Sequence, residues 1–368
     1  MEVSGRERPN CSRPRPTAIT QQEALLSGHE NGGPFGAEPA RSSPFAKVFA
    51  IQELGVLVAG LIIAAAFAYQ SPQFFTAGSA GSILASAVQF GVVGLGVTVL
   101  MIAGEFDISV ASVYSLCPMI MASLWVTHGL NVFVALALSL LLAIAIGLIN
   151  GLATLLLNIP SFIVTLATAL FWAGVSLNLT GGYPISFFGK SAVMQWLGAA
   201  EFGKSHISVS VLWLPAIAIV LSVVLRMTTT GNWIFASGGD GRAARAMGVP
   251  VGRVKVACFV LSSLLAAVTG IIQFGSFGSA TPTQGSDLAL TAIVVAVVGG
   301  ASLLGGRGSI IGALLAAIVL GMSYTGLVLS GVSTTWFQSF VGFLLLFAVI
   351  VNLRTAGIGA RLGVIRKS

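Results

Sequence analysis

Charge is scarce in this chain. Only 8% of its 368 residues are Asp, Glu, Lys or Arg, whereas 56% are hydrophobic and the mean hydropathy is +0.97; a soluble domain carries about a quarter charged residues. A soluble enzyme and a disordered chain are thereby excluded. Cysteine is nearly absent too: Cys11, Cys117 and Cys258 are far apart and two lie in apolar segments, which excludes a disulfide framework or a CxxC metal site. His29, His128 and His206 are scattered through tail and loops, so no metal constellation is visible. The 18 Lys+Arg outnumber the 11 Asp+Glu and give a net charge of +7. In a soluble protein that excess suggests nucleic acid, but here the charges have first to be placed against a bilayer.

A helix needs about 20 apolar residues to cross the roughly 30 Å hydrocarbon core. The stretches free of charge and His are 54–104, 108–127, 129–189, 207–225, 256–286, 288–306 and 308–353. By length they hold two, one, two, one, one, one and two spans, about ten helices in all. The blocks are continuous rather than alternating with period two, so an all-α polytopic membrane protein is expected and a barrel is not. Placing the N-terminus in the cytoplasm puts the C-terminus there too and leaves 16 of the 18 Lys+Arg inside, with Lys190 and Lys204 outside. That asymmetry is the positive-inside rule. The basic balance is therefore topogenic, and no nucleic-acid partner is expected.

Residues 1–44 are rich in Pro, Gly, Ser, Arg and Glu and read as a disordered cytoplasmic tail, followed by a transmembrane domain over 45–353 and a cytoplasmic C-terminal tail over 354–368. The first apolar run, from about Val48, is too long and too far in for a signal peptide and reads as an uncleaved anchor. Glycines at helical spacing, as in Gly91-Val-Val-Gly94-Leu-Gly96 and Gly147-xxx-Gly151, suit close helix packing. Two hydrophilic stretches exceed a tight turn: an external loop over 181–206 and an internal one over 227–255, the natural place for a soluble partner to dock.

Four local patterns carry possible chemistry. Gly198-Ala-Ala-Glu-Phe-Gly203-Lys204-Ser205 fits the phosphate-loop pattern GxxxxGK[ST], yet it lies in a short external loop with no room for the strand and helix that such a cradle needs. Gly104 to Ser112 joins the second and third helices and carries Glu105 and Asp107. Asp107 or Ser109 can cap the third helix, or the break with Glu105, Asp107 and Ser109 can mark a gate; one residue can serve both. Gly299 to Ser309 reads as a tight turn between closely packed helices. In Gly238 to Val249, Asp240 is placed to cap a short helix over Arg242 to Met247, which Gly248 and Pro250 end. Its apolar face of Ala243, Ala244 and Met247, flanked by Arg242 and Arg245, suits protein docking better than insertion into lipid.

Residues 104–112, 238–249 and 282–310 together resemble three motifs of the membrane permease subunits of bacterial ABC-type sugar importers, the group similar to ribose, xylose and arabinose permeases. The likeness runs from about residue 50 to 353. It implies a permease of the bacterial inner membrane that works as a homodimer with a second copy or as a heterodimer with another permease. It also implies a cytoplasmic ATPase that binds ATP and Mg, and a periplasmic binding protein that delivers a simple sugar or related polar solute. The chain itself then has no cofactor and no catalytic residue. Residues 240–248, with Asp240, Arg242, Ala243, Ala244, Arg245, Met247 and Gly248, become the helix that receives motion from the ATPase. Glu105 and Ala111 stand where the first motif has Gly, and Ala289-Leu290-Thr291 stands where sugar permeases often have Glu-Leu-Asp.

An ion-coupled secondary transporter of a small polar solute is the alternative. Proton coupling commonly uses an acid inside a helix, and the only ionisable residue in the expected spans is Glu53, at an inner edge. The uncharged polar residues Gln89, Asn150, Asn158, Thr165, Thr168 and Gln273 are the candidates for a solute path, with interhelical hydrogen bonding as the other use for them.

Overall fold

The structure, a computed structural model, describes residues 52–189, 191–203 and 207–361. The expected tail over 1–44 lies outside the described residues, as do Lys190, Lys204 and Ser205. Twelve helices can be numbered in chain order: α1 Gln52–Gln70, α2 Ala77–Ile102, α3 Val110–Ala122, α4 Val132–Leu156, α5 Ser161–Thr180, α6 Trp213–Met227, α7 Thr229–Gly239, α8 Gly241–Ala246, α9 Val251–Phe277, α10 Leu288–Val298, α11 Ile310–Leu329 and α12 Thr335–Arg361. A two-residue antiparallel pair, β1 Ile185–Ser186 with β2 Ser279–Ala280, joins the 181–206 segment to the end of α9.

Local sequence sets the helix ends. Thr76 accepts from Ser79 N at the start of α2, Asn131 from Phe133 N at α4 and Ser309 from Gly312 N at α11, each satisfying an N–H that the helix leaves free. Pro118 lies inside α3, where it removes the N–H that would bond the Tyr114 carbonyl. The helix then continues as a π-turn over Ser123–Thr127.

Eight helices among the described residues are long and apolar enough to cross a membrane. Each apolar block of the sequence holds the expected number of helices, but not all are full spans. The block 288–306 yields only α10, because the chain turns at Gly299 and Gly300, and its 11 residues rise about 16 Å, half of a hydrocarbon core. At the C-terminus α12 runs on to Arg361, past residue 353 where the tail was expected to begin.

The bundle is built in two shells. Within the crossing windows 72% of α2 is buried and 61% of each of α3, α9 and α11, against 11% of α1 and 22% of α5. Lipid offers no hydrophobic drive between helices, so contact surfaces rely on small residues. Accordingly Gly147 and Gly151 of α4 lie against the Val260 and Val256 backbone of α9, and Gly94 of α2 against Val295 of α10.

Candidate functional site

At one end of the bundle the three motif segments converge on a single point. Gly306 N donates to Ile102 O at 2.9 Å. A Cβ on Gly238 would lie 1.8 Å from Ile102 O and 2.8 Å from Gly306 N, so no side chain fits. Gly305, at φ +81°, would put a Cβ 2.7 Å from Gly238 O and 2.8 Å from Gly104 Cα; both its conformation and its neighbours require glycine. The chain that leads into α8 is thus in direct main-chain contact with the 104–109 loop and the 299–309 turn. The expected tight turn at 299–309 is present, with a Cβ on Gly312 only 2.0 Å from Gly299 O.

The 104–112 segment is held from three sides. From α5, Ser161 Oγ accepts from Phe106 N (3.1 Å), Thr165 Oγ1 accepts from Ile108 N (3.2 Å), and Ser112 Oγ donates to Ala169 O (2.7 Å). From α4, Asn150 Nδ2 donates to Ser109 Oγ (2.7 Å) while its Oδ1 accepts from Thr168 Oγ1 (2.8 Å). From α9, Lys255 Nζ lies 2.5 Å from Glu105 Oε1, with side chains 16% and 12% exposed. Glu105, the departure from the motif's Gly, therefore has a dedicated partner.

Asp107 is fully buried. Its Oδ1 accepts from Ser109 N (2.8 Å) and Ser109 Oγ (2.6 Å), and its Oδ2 has no partner. Burial pushes its carboxyl up from 3.8 to about 6, against the opposing pull of the Ser109 bonds. The Ser262 hydroxyl of α9 lies close enough to ease that ionisation without reaching hydrogen-bond geometry. The capping expectation is corrected in detail: Ser109 stands at the N-cap of α3, but its hydroxyl donates to Asp107 instead of accepting from the helix.

The path candidates fall in different parts of the structure. Asn150, Thr165 and Thr168 are the anchors just described, spent on fixing the 104–112 segment. Asn158 is exposed at the turn between α4 and α5 with φ +54°, outside any span. Gln273 is half-buried in α9, apart from this network.

The helix expected after Asp240 is present. Asp240 Oδ1 accepts from Arg242 N (2.9 Å) and Ala243 N (3.0 Å), and those bonds lower its carboxyl below the usual carboxylate range. Gly248 follows at φ +84°. Its exposed face is smaller than the sequence suggested, because Ala244 is buried; Arg242, Ala243, Arg245 and Met247 remain exposed, Met247 at 85%.

Gln89 lies apart from this junction, further back along α2. It lies midway along α2, and its Nε2 donates to Tyr114 Oη (3.0 Å), which also accepts from Gln284 Nε2 (3.3 Å). It forms the floor of a cavity of about 410 Å³ between α2, α10, α11 and α12. Asp287 and Gln338, which share a hydrogen bond, Thr291 and Phe337 line its walls. Sequence reasoning missed Tyr114, Gln284, Asp287 and Gln338, which are far apart in the chain; the one signal available was an acid directly before an apolar run.

These features describe a polytopic membrane protein with a main-chain junction at one end and a solute-sized cavity at the other, the build of a membrane transport component. Residues 79–349 match the family described as branched-chain amino acid transport system / permease component, and the chain belongs to that family. Among curated relatives it is 32% identical to the ribose import permease of Escherichia coli strain K12, over 82% of this chain and 94% of that protein. It is 30% identical to the xylose/arabinose import permease of Sulfolobus acidocaldarius (82% and 84%) and 31% identical to the autoinducer 2 import system permease of Photorhabdus luminescens (82% and 90%). No solved structure is matched.

Proposed function

We propose that the chain is the transmembrane permease subunit of an ATP-binding-cassette importer of a simple sugar or related polar solute. In this reading it crosses the bacterial inner membrane ten times with both termini in the cytoplasm. It pairs with a second copy, receives solute from a periplasmic binding protein, and is driven by a separate cytoplasmic ATPase that holds ATP and Mg. The observation that carries the reading is the continuity between α8 and the interior. A capped, exposed helix with two arginines sits one residue from Gly239, and Gly238 is in main-chain contact with both the 104–109 loop and the 299–309 turn. Any displacement of α8 reaches those segments with no flexible side chain between. The named sugar-import relatives support the solute class.

The test is purification of the tagged chain from its native membrane, with identification of what accompanies it. An ATPase should co-purify, and Arg242→Glu or Arg245→Glu should uncouple its hydrolysis from transport while the permease stays folded. Normal transport by both variants would remove the role given to α8. A chain that purifies alone and moves solute under an ion gradient without ATP would replace the importer by the secondary transporter.

A further inference from the structure

The cavity beside Gln89 lies at the start of a short helix, α10. Its 11 residues cover about half of a bilayer core, and the segment that leads into it, Gly285-Ser286-Asp287, lines the same cavity as Gln89, which lies midway along α2. Non-helical backbone at membrane depth is tolerated only where protein buries it or where it lines a water-filled space, and a half-helix start at that depth is a recurrent way to meet a solute. The space of about 410 Å³ is near the lower end of ligand-pocket sizes, which suits a monosaccharide-sized compound.

The lining specifies more than size. Gln89 is tethered to Tyr114 through Nε2, leaving Oε1 to accept. Gln338 and the hydroxyls of Thr334 and Thr335 can each donate and accept, as adjacent sugar hydroxyls require, while the Thr291 hydroxyl, which donates to Asp287 O (3.0 Å), can still accept. One wall is aromatic: Phe90 and Phe337 stack at 5.4 Å, with Tyr324 edge-on to both, and their packed rings give that side of the cavity an apolar surface. The charge is the decisive feature. Among the described residues no Lys, Arg or His lines the cavity, and Asp287 is the one Asp or Glu that does. Asp287 sits at the N-terminus of α10, where its carboxylate answers the positive end of the helix dipole, and Gln338 donates to it. An anion entering here meets a carboxylate with no cation to offset it, while the hydroxyls of a neutral polyol can donate to that carboxylate and bond the amide and hydroxyl groups around it.

We propose that the cavity framed by Gln89, Asp287, Thr291, Gln338 and Phe337 is a solute site that takes neutral polyhydroxy compounds of monosaccharide size and turns away their anionic counterparts. The proposal rests on the importer reading but deepens it, placing a selectivity step by charge in the permease itself.

The experiment uses the full chain in lipid nanodiscs, with its native cysteines replaced and Thr334→Cys introduced at the cavity, labelled by a water-soluble maleimide. Protection grows as 1 + [L]/Kd, so with a millimolar affinity 10 mM ribose should slow labelling about tenfold, and gluconate at the same concentration should not. Asp287→Asn should weaken the affinity for ribose about tenfold, as loss of a charged hydrogen-bond acceptor does, which cuts protection at 10 mM to about twofold, and should allow protection by gluconate. Protection by gluconate in the unaltered chain, protection by cationic glucosamine without ribose, or no protection by any of them overturns the assignment. The same outcomes read at Gly342→Cys, further along α12, guard against a label site that ribose merely fails to cover. If no ATPase co-purifies but ribose protects, the importer reading falls and the site stands; if ATP-driven uptake proceeds without protection, the site falls alone.

Discussion

An added Cβ at Gly238 would lie 1.8 Å from a backbone oxygen, whereas at Gly342, on the cavity wall of α12, nothing lies within 4 Å. The two ends of the bundle are made of different material. Where the motif segments cross, the contacts are main chain to main chain, and nearly every position is dictated by the absence of side chains. At the cavity, Gly285 apart, the contacts are mostly side chain to side chain, and a substitution there would alter the lining of the proposed site without displacing main chain. The end that would transmit force is therefore intolerant of change, and the end that would meet solute is free to vary. Thr291, one of the positions at which this chain departs from the sugar-permease pattern, lies on the cavity wall.

The sharpest test of that contrast is a pair of matched substitutions. Gly238→Val should abolish folded, monodisperse protein in detergent, since main-chain clashes cannot be relieved by a rotamer change, while Gly342→Val should leave the thermal midpoint within about 1 °C, as for a surface change. Equal tolerance at the two positions would break the comparison. The next largest effect is expected at the Glu105–Lys255 pair, which ties the 104–109 loop to α9. Glu105→Gln strands a mostly buried ammonium and should cost about 3 kcal/mol, the low end for such pairs because both side chains retain some exposure. Adding Lys255→Met should restore most of it, which a denaturation series on the single and double variants would show.

Asp107 gives a smaller effect with a defined pH signature. Its carboxyl titrates at about 6 instead of 3.8, so the folded chain holds its proton more tightly than the unfolded one. Stability should then fall as pH rises from about 4 to about 6, by roughly 2 to 3 kcal/mol from this group. In Asp107→Asn that component of the slope should vanish, as read from thermal midpoints across the interval. The smallest effect is expected from Asp240→Ala, which removes the acceptor for two N–H groups at the start of α8. Because the helix stands on the surface, the global midpoint should hold while stimulation of a bound ATPase declines.

Much of this architecture is legible in the residues. Charge-free blocks locate every apolar helix, and Asp240 with Gly248 and Pro250 frames α8 to within a residue, because capping is a local property. Length is legible only where a charge marks the boundary. The block 288–306 reads as a full span, but Gly299 and Gly300 end α10 early, and glycine in an apolar run signals packing and termination equally well. Polar residues inside spans are legible as a set and not one by one. Gln89 reaches the cavity, whereas Asn150, Thr165 and Thr168 face the 104–112 segment, and that difference is a rotation about a helix axis which only the neighbours fix. The meeting of Gln89, Tyr114, Gln284 and Asp287 depends on contacts between α2, α3 and the 281–287 segment, for which no local pattern exists.

The shortness of α10 also bears on how the protein is made. A stretch of 11 residues is too brief to be recognised as a membrane-crossing segment in its own right, so it must be carried into the bilayer with the longer helix that follows the Gly299–Ser309 turn. Even then the compartment beside it has no outer wall. Phe337, Gln338, Val341 and Leu345 all come from α12, so the cavity is complete only once α12 has been made. A nascent chain made only as far as Leu329 has every segment of the main-chain junction but not yet the α12 wall of the cavity.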